Sequence, residues 1–279
     1  MIIDSHQHFW TYTEAEFGWI DDRMSAIRRD FLPRSLFYEI DPCGVSGTVA
    51  VQARQSLEET GQLMLMADEN HWIQGVVGWV PLRDPNVAAH LERLSSFARF
   101  KGVRHVLQAE PDEFMEDSAF NEGIRKVSSL GKVYDLLIVA RQLPAAIRFV
   151  DRHPGLPIVL DHIAKPTIAG LPPAEWVDGI RDLARRDHVV CKFSGLVTEV
   201  VGEGWRWTPE LLKPYFEVVL EAFGPQRLMF GSDWPVCLVA SQYVQWLDFV
   251  KECVACLSKD EQAAILGANA DRVYDLRIR

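Results

Sequence analysis

Two histidines two positions apart, His6 and His8, close a short apolar run at residues 1–5 whose β-branched character predicts a strand. Side chains two apart on a strand point to the same face, so both imidazoles can converge on one ion or one substrate atom. Two further polar groups end later apolar runs. Asp161 and His162 follow residues 157–160, and Asp233 follows residues 227–230 within Gly231-Ser232-Asp233-Trp234-Pro235. A carboxylate between a buried strand and Trp-Pro is poorly placed for solvation, although a helix-capping role is the plain alternative. Three imidazoles and one carboxylate suit a single divalent ion of zinc-like character.

These groups can meet only if the strands that carry them close on one another. Short apolar runs recur eight times, at residues 1–5, 47–52, 75–80, 102–107, 135–140, 157–161, 189–193 and 227–230. Between them lie segments with helical spacing, at 56–70, 86–100, 120–130, 143–153, 175–186, 209–223 and 241–257. Continuous apolar strands alternating with helices predict a parallel sheet covered by helices, and eight units predict an α/β chain closed as a (β/α)8 TIM barrel, one domain over residues 1–279. A doubly wound open sheet is the alternative. It would want a glycine-rich phosphate turn after the first strand, where this chain has His6-Gln7-His8-Phe9-Trp10. If the barrel closes, the eighth strand adjoins the first and Asp233 faces His6 and His8. Two long insertions, 9–45 and 194–209, leave strand ends on the face where barrels build their sites and predict aromatic pocket walls.

Composition narrows the class. The 279 residues carry 29 Lys+Arg against 39 Asp+Glu, a net charge of −10. That balance argues against a nucleic-acid partner. A hydrophobic share of 48% excludes intrinsic disorder, and no apolar run reaches the ~18–20 residues of a membrane span. The opening residues show no signal-peptide pattern, and five scattered cysteines point to reduced thiols, which together predict a cytoplasmic protein. Cys253 and Cys256 match C-x-x-C but lie in a helical pattern without a second pair. Oligomeric state is left open.

Four pieces of local wording resemble one family. They are Ile3-Asp4-Ser5-His6-Gln7-His8-Phe9-Trp10, Gly102-Val103-Arg104-His105-Val106-Leu107-Gln108, Val159-Leu160-Asp161-His162 with Lys165-Pro166, and Phe230-Gly231-Ser232-Asp233-Trp234-Pro235. In this order and spacing the chain resembles the amidohydrolase superfamily, in particular its lactonase branch, over nearly its whole length. The resemblance implies hydrolysis of a small-molecule sugar lactone (L-fucono-, L-rhamnono- or a related aldonolactone) to its aldonic acid, or of a pyrone dicarboxylate. It implies Asp233 as general base and His162 as water-orienting group, with His6, His8, His162 and Asp233 as ligands of one divalent metal, zinc. Binuclear members carry a carboxylated lysine at the end of the fourth strand. Here Lys101 sits at that strand's opposite end, and the fifth strand ends at Arg141 without a histidine, so at most one metal is expected. Some lactonases of the branch need none, in which case His6 and His8 would donate hydrogen bonds to the carbonyl.

Substrate contacts are expected from residues near strand ends: Gln52, Arg54, Trp79, Arg83, His105, Gln108 and Arg141, with Trp10, Trp207 and Trp234 as planes for the sugar's apolar face. A slip of one residue along any strand swaps pocket for outer face. His71, His90, His153 and His188 are read as structural or solvated. Two other functions share the same residues: a metal-dependent decarboxylase of the same superfamily and a non-catalytic carbohydrate-binding barrel.

Overall fold

The eight apolar runs pair in sequence order as a single parallel sheet. A computed structural model describes residues 1–276. Its strands are β1 (Ile2–Gln7), β2 (Val45–Val51), β3 (Ile73–Gly78), β4 (Phe100–His105), β5 (Val133–Leu136), β6 (Ile158–Leu160), β7 (Val189–Phe193) and β8 (Leu228–Phe230). Helices α1 (Pro33–Ile40), α2 (Leu57–Glu69), α3 (Val87–Ser95), α4 (Ser118–Ser129), α5 (Leu143–Asp151), α6 (Ala174–Leu183), α7 (Pro209–Phe223) and α8 (Tyr243–Val254) alternate with them. Two short helices, α9 (Lys259–Ala263) and α10 (Asn269–Tyr274), end the described chain.

The seam is closed by the segment after β8 rather than by a full ladder. Gln7 bridges Trp234 in parallel, His8 N–H donates to the Trp234 carbonyl at 2.7 Å, and Asp233 N–H donates to the His6 carbonyl at 2.8 Å. Buried Asp4 pins the same seam, accepting from the backbone N–H of Ser232 at 2.9 Å and from the Tyr243 hydroxyl at 3.1 Å. The architecture is the (β/α)8 barrel that the alternation predicts.

Strand alternation sorts the barrel interior into two layers. Val133, Val159 and Val190 form an apolar lower layer with Ile3, Val49, Val51, Val77 and Met229, sealed from below by Ala270, Tyr274 and Leu276. Two positions further along the same strands the inward residues are Asp135, Asp161 and Lys192, all fully buried. Apolar contact thus holds the base of the barrel together, and charge is confined to the layer under the mouth. On β1 the pairing register shifts between Asp4 and Gln7. Such a shift re-aims a side chain, and here both Ile3 and His6 face inward although they are three apart. Outside the sheet, a second and larger core packs β-branched and aromatic residues against the helices, among them Phe9, Phe100, Trp176, Phe193 and Trp246.

Candidate active site and metal centre

Four backbone devices bring the acid and the imidazoles together. The β1 register shift points His6 inward, and His8 follows on the same face. His162 reaches the mouth through a left-handed turn: His162, Ile163, Ala164 and Lys165 all have positive φ, between 44° and 61°. For L-residues that conformation costs ~1–2 kcal/mol each. It is held by the Lys165 N–H to the His162 carbonyl at 2.8 Å and by the Trp176 indole N–H to the Ile163 carbonyl at 2.9 Å. Asp233 also has positive φ, 58°, directly after β8. Two glycines leave the room these groups need. A Cβ on Gly195 would lie 2.4 Å from His162 Nδ1, and one on Gly231 would lie 2.9 Å from the His6 Cβ.

Asp233 Oδ1 lies 3.3 Å from His8 Nε2, 3.7 Å from His6 Nε2 and 3.9 Å from His162 Nε2. Each ring is oriented from its far side. His8 Nδ1–H donates to the Val51 carbonyl at 2.7 Å, and His162 Nδ1 bonds the Ser194 hydroxyl at 2.9 Å. His6 Nδ1 is 3.3 Å from Asp161 Oδ1. With its Nδ1–H given to Val51, His8 turns its Nε2 lone pair toward His6 Nε2, 3.2 Å away, and toward the carboxylate. Acceptor atoms so close require a cation or a proton among them. The donor set therefore fits one divalent metal, and His6, His162 and Asp233 offer ligand atoms within 4.8 Å of one another.

Electrostatics at the floor follow from burial and pairing. Burial brings His162 down to about 4, against the pull of Asp233 and Asp161. Burial likewise drives His6 well below the usual histidine range, opposed by Asp161. For Asp233 burial acts upward, but His162, His8 and His6 outweigh it and hold the carboxyl well below the ordinary carboxylate value. The lowered pKa values of His6, His162 and the Asp233 carboxyl favour the protonation states that ligation or base chemistry needs.

Above this floor opens a cavity of about 650 Å³. Its walls come from both insertions: Trp19, Arg23 and Met24 from the loop after β1, and Thr198, Glu199 and Trp205 from the loop after β7. The Arg23 guanidinium lies 5.4 Å from the Trp205 ring centre, joining the two loops across the mouth. Of the residues named from the sequence as substrate contacts, Arg54 and Gln108 line this cavity. Arg54 is tied to Glu16 of the first insertion, and its backbone N–H donates to Glu59 at 2.9 Å. The Gln108 Oε1 is buried without a partner among the described residues.

Other expected substrate contacts lie elsewhere. Trp79, Arg83 and His105 line a separate 240 Å³ pocket on the outer side of β3 and β4. There His105 stacks on Phe114 with ring centres 4.8 Å apart and bonds Glu110 at 3.0 Å. Its neighbour Arg104 takes the inward place, because alternate residues of β4 face opposite ways. Gln52 is fully buried under the floor: its side-chain amide donates to the Arg104 backbone carbonyl at 3.3 Å, and its own backbone carbonyl accepts from the Arg104 guanidinium. Arg141 is exposed and paired with Asp112 at 2.8 Å. Trp207 gives its indole N–H to the Ala240 carbonyl at 3.1 Å and packs on Trp246 and Phe249. Trp10 and Trp234 are buried in the wall beside Phe31.

Sequence reading missed the charged layer beneath the site. Arg104 Nη1 lies 3.1 Å from Asp161 Oδ2 and 3.3 Å from His6 Nε2, while its Nε is buried without a partner among the described residues. Lys192 and Asp135, 2.5 Å apart, complete the layer. The signal available was Asp135 inside β5 and Lys192 inside β7, each the one charged residue of its strand, with Asp161 directly after β6.

A closed parallel barrel carries three imidazoles and one carboxylate at its carboxyl-terminal mouth, and comparison with known proteins identifies its class. Residues 3–276 match the amidohydrolase family model, and the chain belongs to that enzyme family. It is 40% identical to an L-fucono-1,5-lactonase of Burkholderia multivorans, covering 98% of this chain and 96% of that one. An L-fucono-1,5-lactonase of Burkholderia ambifaria is 36% identical, covering 98% and 94%. A crystal structure of a Burkholderia multivorans amidohydrolase with bound zinc superposes with a TM-score of 0.93 at 40% identity, covering 99% of both chains.

Proposed function

We propose that the protein hydrolyses a sugar lactone to its aldonic acid, with a 6-deoxy aldonolactone of the L-fucono or L-rhamnono type as substrate. The observation that carries this is the ionised Asp233 carboxylate among three oriented imidazoles, at the floor of a cavity sized for a small molecule. Similarity to lactonases along nearly the whole chain supports the substrate class.

Lactone opening needs a deprotonated water, a stabilised tetrahedral oxyanion and a proton for the departing ring oxygen. Asp233 takes the water proton and returns it to the ring oxygen as the C–O bond breaks. His162, held by Ser194, orients that water. Arg104 supplies fixed positive charge beside the developing oxyanion, locked by Asp161 and the Gln52 carbonyl. Arg54 and Gln108 face the substrate's hydroxyls, and the apolar wall of Trp19, Met24 and Trp205 faces its methyl end. The ion we assign to His6, His8, His162 and Asp233 is zinc, which when bound lowers the pKa of its water and polarises the carbonyl.

The test is acid release, followed with a pH indicator, over a panel of aldonolactones and pyrone dicarboxylates, using metal-stripped and zinc-loaded protein. Turnover of 6-deoxy aldonolactones is expected. Silence on every lactone, with carbon dioxide released from an aromatic acid, would replace hydrolysis by decarboxylation.

A further inference from the structure

Below the site a second cluster of ligand-type atoms is formed by His6, Asp135 and Asp161, all fully buried. Its ligand atoms lie within 4.8 Å of one another, the spacing of a cation site. In this chain the place is filled. The Lys192 Nζ lies 2.5 Å from Asp135 Oδ2, 3.1 Å from Asp161 Oδ1 and 3.1 Å from His6 Nδ1. Its side chain is fully buried, and the ammonium lies 5.4 Å from the ring centre of Tyr274, which shuts the barrel from below. The Tyr274 hydroxyl donates to the same Asp135 carboxylate at 2.8 Å, so the cluster is closed on both sides.

We propose that Lys192 is a resident cation occupying a latent second metal position, and that it thereby restricts the chain to one exchangeable ion. The charge count supports this. Two buried carboxylates, Asp135 and Asp161, face two buried cations, Lys192 and Arg104, so a further divalent ion would bring two positive charges to a layer already neutral. Desolvated charge of one sign without a partner is strongly unfavourable. Removing the ammonium leaves one negative charge uncompensated and vacates the volume that a metal could enter. This inference rests on the geometry of the charged layer and does not depend on which lactone, if any, is cleaved.

The experiment counts ions. Wild-type protein saturated with Mn2+ or Zn2+ and passed through gel filtration should carry no more than one ion per chain by elemental analysis. Anomalous scattering from crystals should place none between Asp135 and Asp161. Lys192→Ala should carry one ion more than wild type under the same loading, with its anomalous peak between Asp135, Asp161 and the His6 ring. The melting temperature of this variant should rise on adding Mn2+ by more than that of wild type. The double variant Lys192→Ala, Asp135→Asn should lose the added ion. If Lys192→Ala is insoluble without metal, expression with excess Mn2+ or Zn2+ should restore it. A wild-type ion on Asp135 and Asp161, a folded Lys192→Ala with unchanged ion count, or an insoluble one that neither metal rescues would each overturn the proposal.

Discussion

Substitution of Gly195 by alanine isolates the placement of His162 from every other feature of the site. The added Cβ would stand 2.4 Å from His162 Nδ1 and 2.7 Å from its Cγ, where ordinary contact begins near 3.4 Å. The ring must retreat by about 1 Å, which breaks its 2.9 Å bond to the Ser194 hydroxyl. Misplacement of ~1 Å at a catalytic group costs on the order of 10²-fold in rate. Stability suffers from two sources: a left-handed φ of +69° at ~1–2 kcal/mol and overpacking at ~1–3 kcal/mol. Together these predict a fall in melting temperature of roughly 3–9 °C for a chain of 279 residues. Gly44→Ala is the matched control, because Gly44 has the same φ of +69° but nothing within 4 Å of the new Cβ. Steady-state lactone hydrolysis and thermal unfolding of both variants should show strain alone in Gly44→Ala and strain plus lost turnover in Gly195→Ala. Equal kcat in the two variants would refute a positioned role for His162.

Three further outcomes follow from the same geometry. Asp233→Asn should lose ~10²–10⁴-fold in kcat while keeping the wild-type circular dichroism spectrum; turnover near wild type would remove the general-base role. Arg104→Met should cost ~10²–10³-fold in kcat as a lost oxyanion donor. By contrast His105→Ala, on the outer face of β4, should change kcat/KM by less than about three-fold, since contacts remote from the reacting atoms do not alter transition-state stabilisation, and should lower only stability. Steady-state kinetics on this pair check the register of β4, and the reverse order of effects would contradict it. Burial raises the Glu59 carboxyl to about 7, from an ordinary value near 4.5. Between those values the folded chain holds a proton that the unfolded chain has released. The folded state is therefore favoured below pH 4.5 and loses ~1.4 kcal/mol per pH unit up to about 7. Thermal melts of Glu59→Gln should gain on wild type as pH rises through that window, and parallel Tm–pH curves would disprove the shift.

Legibility in the sequence depended on how local each signal was. The barrel was readable because strand and helix periodicities are local and eight repeats force closure. The ends of the observed elements differ from the predicted runs by a few residues, except at β7 and α7, whose limits coincide with them. His6, His8, His162 and Asp233 were readable because each sits where an apolar run stops. The substrate side was half readable. Arg54 and Gln108 lie past their strand ends, where pleat parity no longer decides direction, and they reach the cavity. His105 still lies within β4, where parity does decide, and it faces out while Arg104 faces in. No composition or spacing rule distinguishes those two neighbours without knowing the register against β5, where Arg104 stands opposite Asp135. The buried layer of Asp135, Asp161 and Lys192 was hidden for a related reason. A charged residue in an apolar strand is individually an anomaly, and its partner lies on another strand: 57 positions separate Lys192 from Asp135, and 186 separate it from His6. Only closure of the barrel joins Asp135, Lys192 and Asp161 into one compensated cluster, with Asp161 3.3 Å from His6 Nδ1. The charged floor is thus a property of the tertiary structure, while the imidazoles and carboxylate above it are a property of the strand ends.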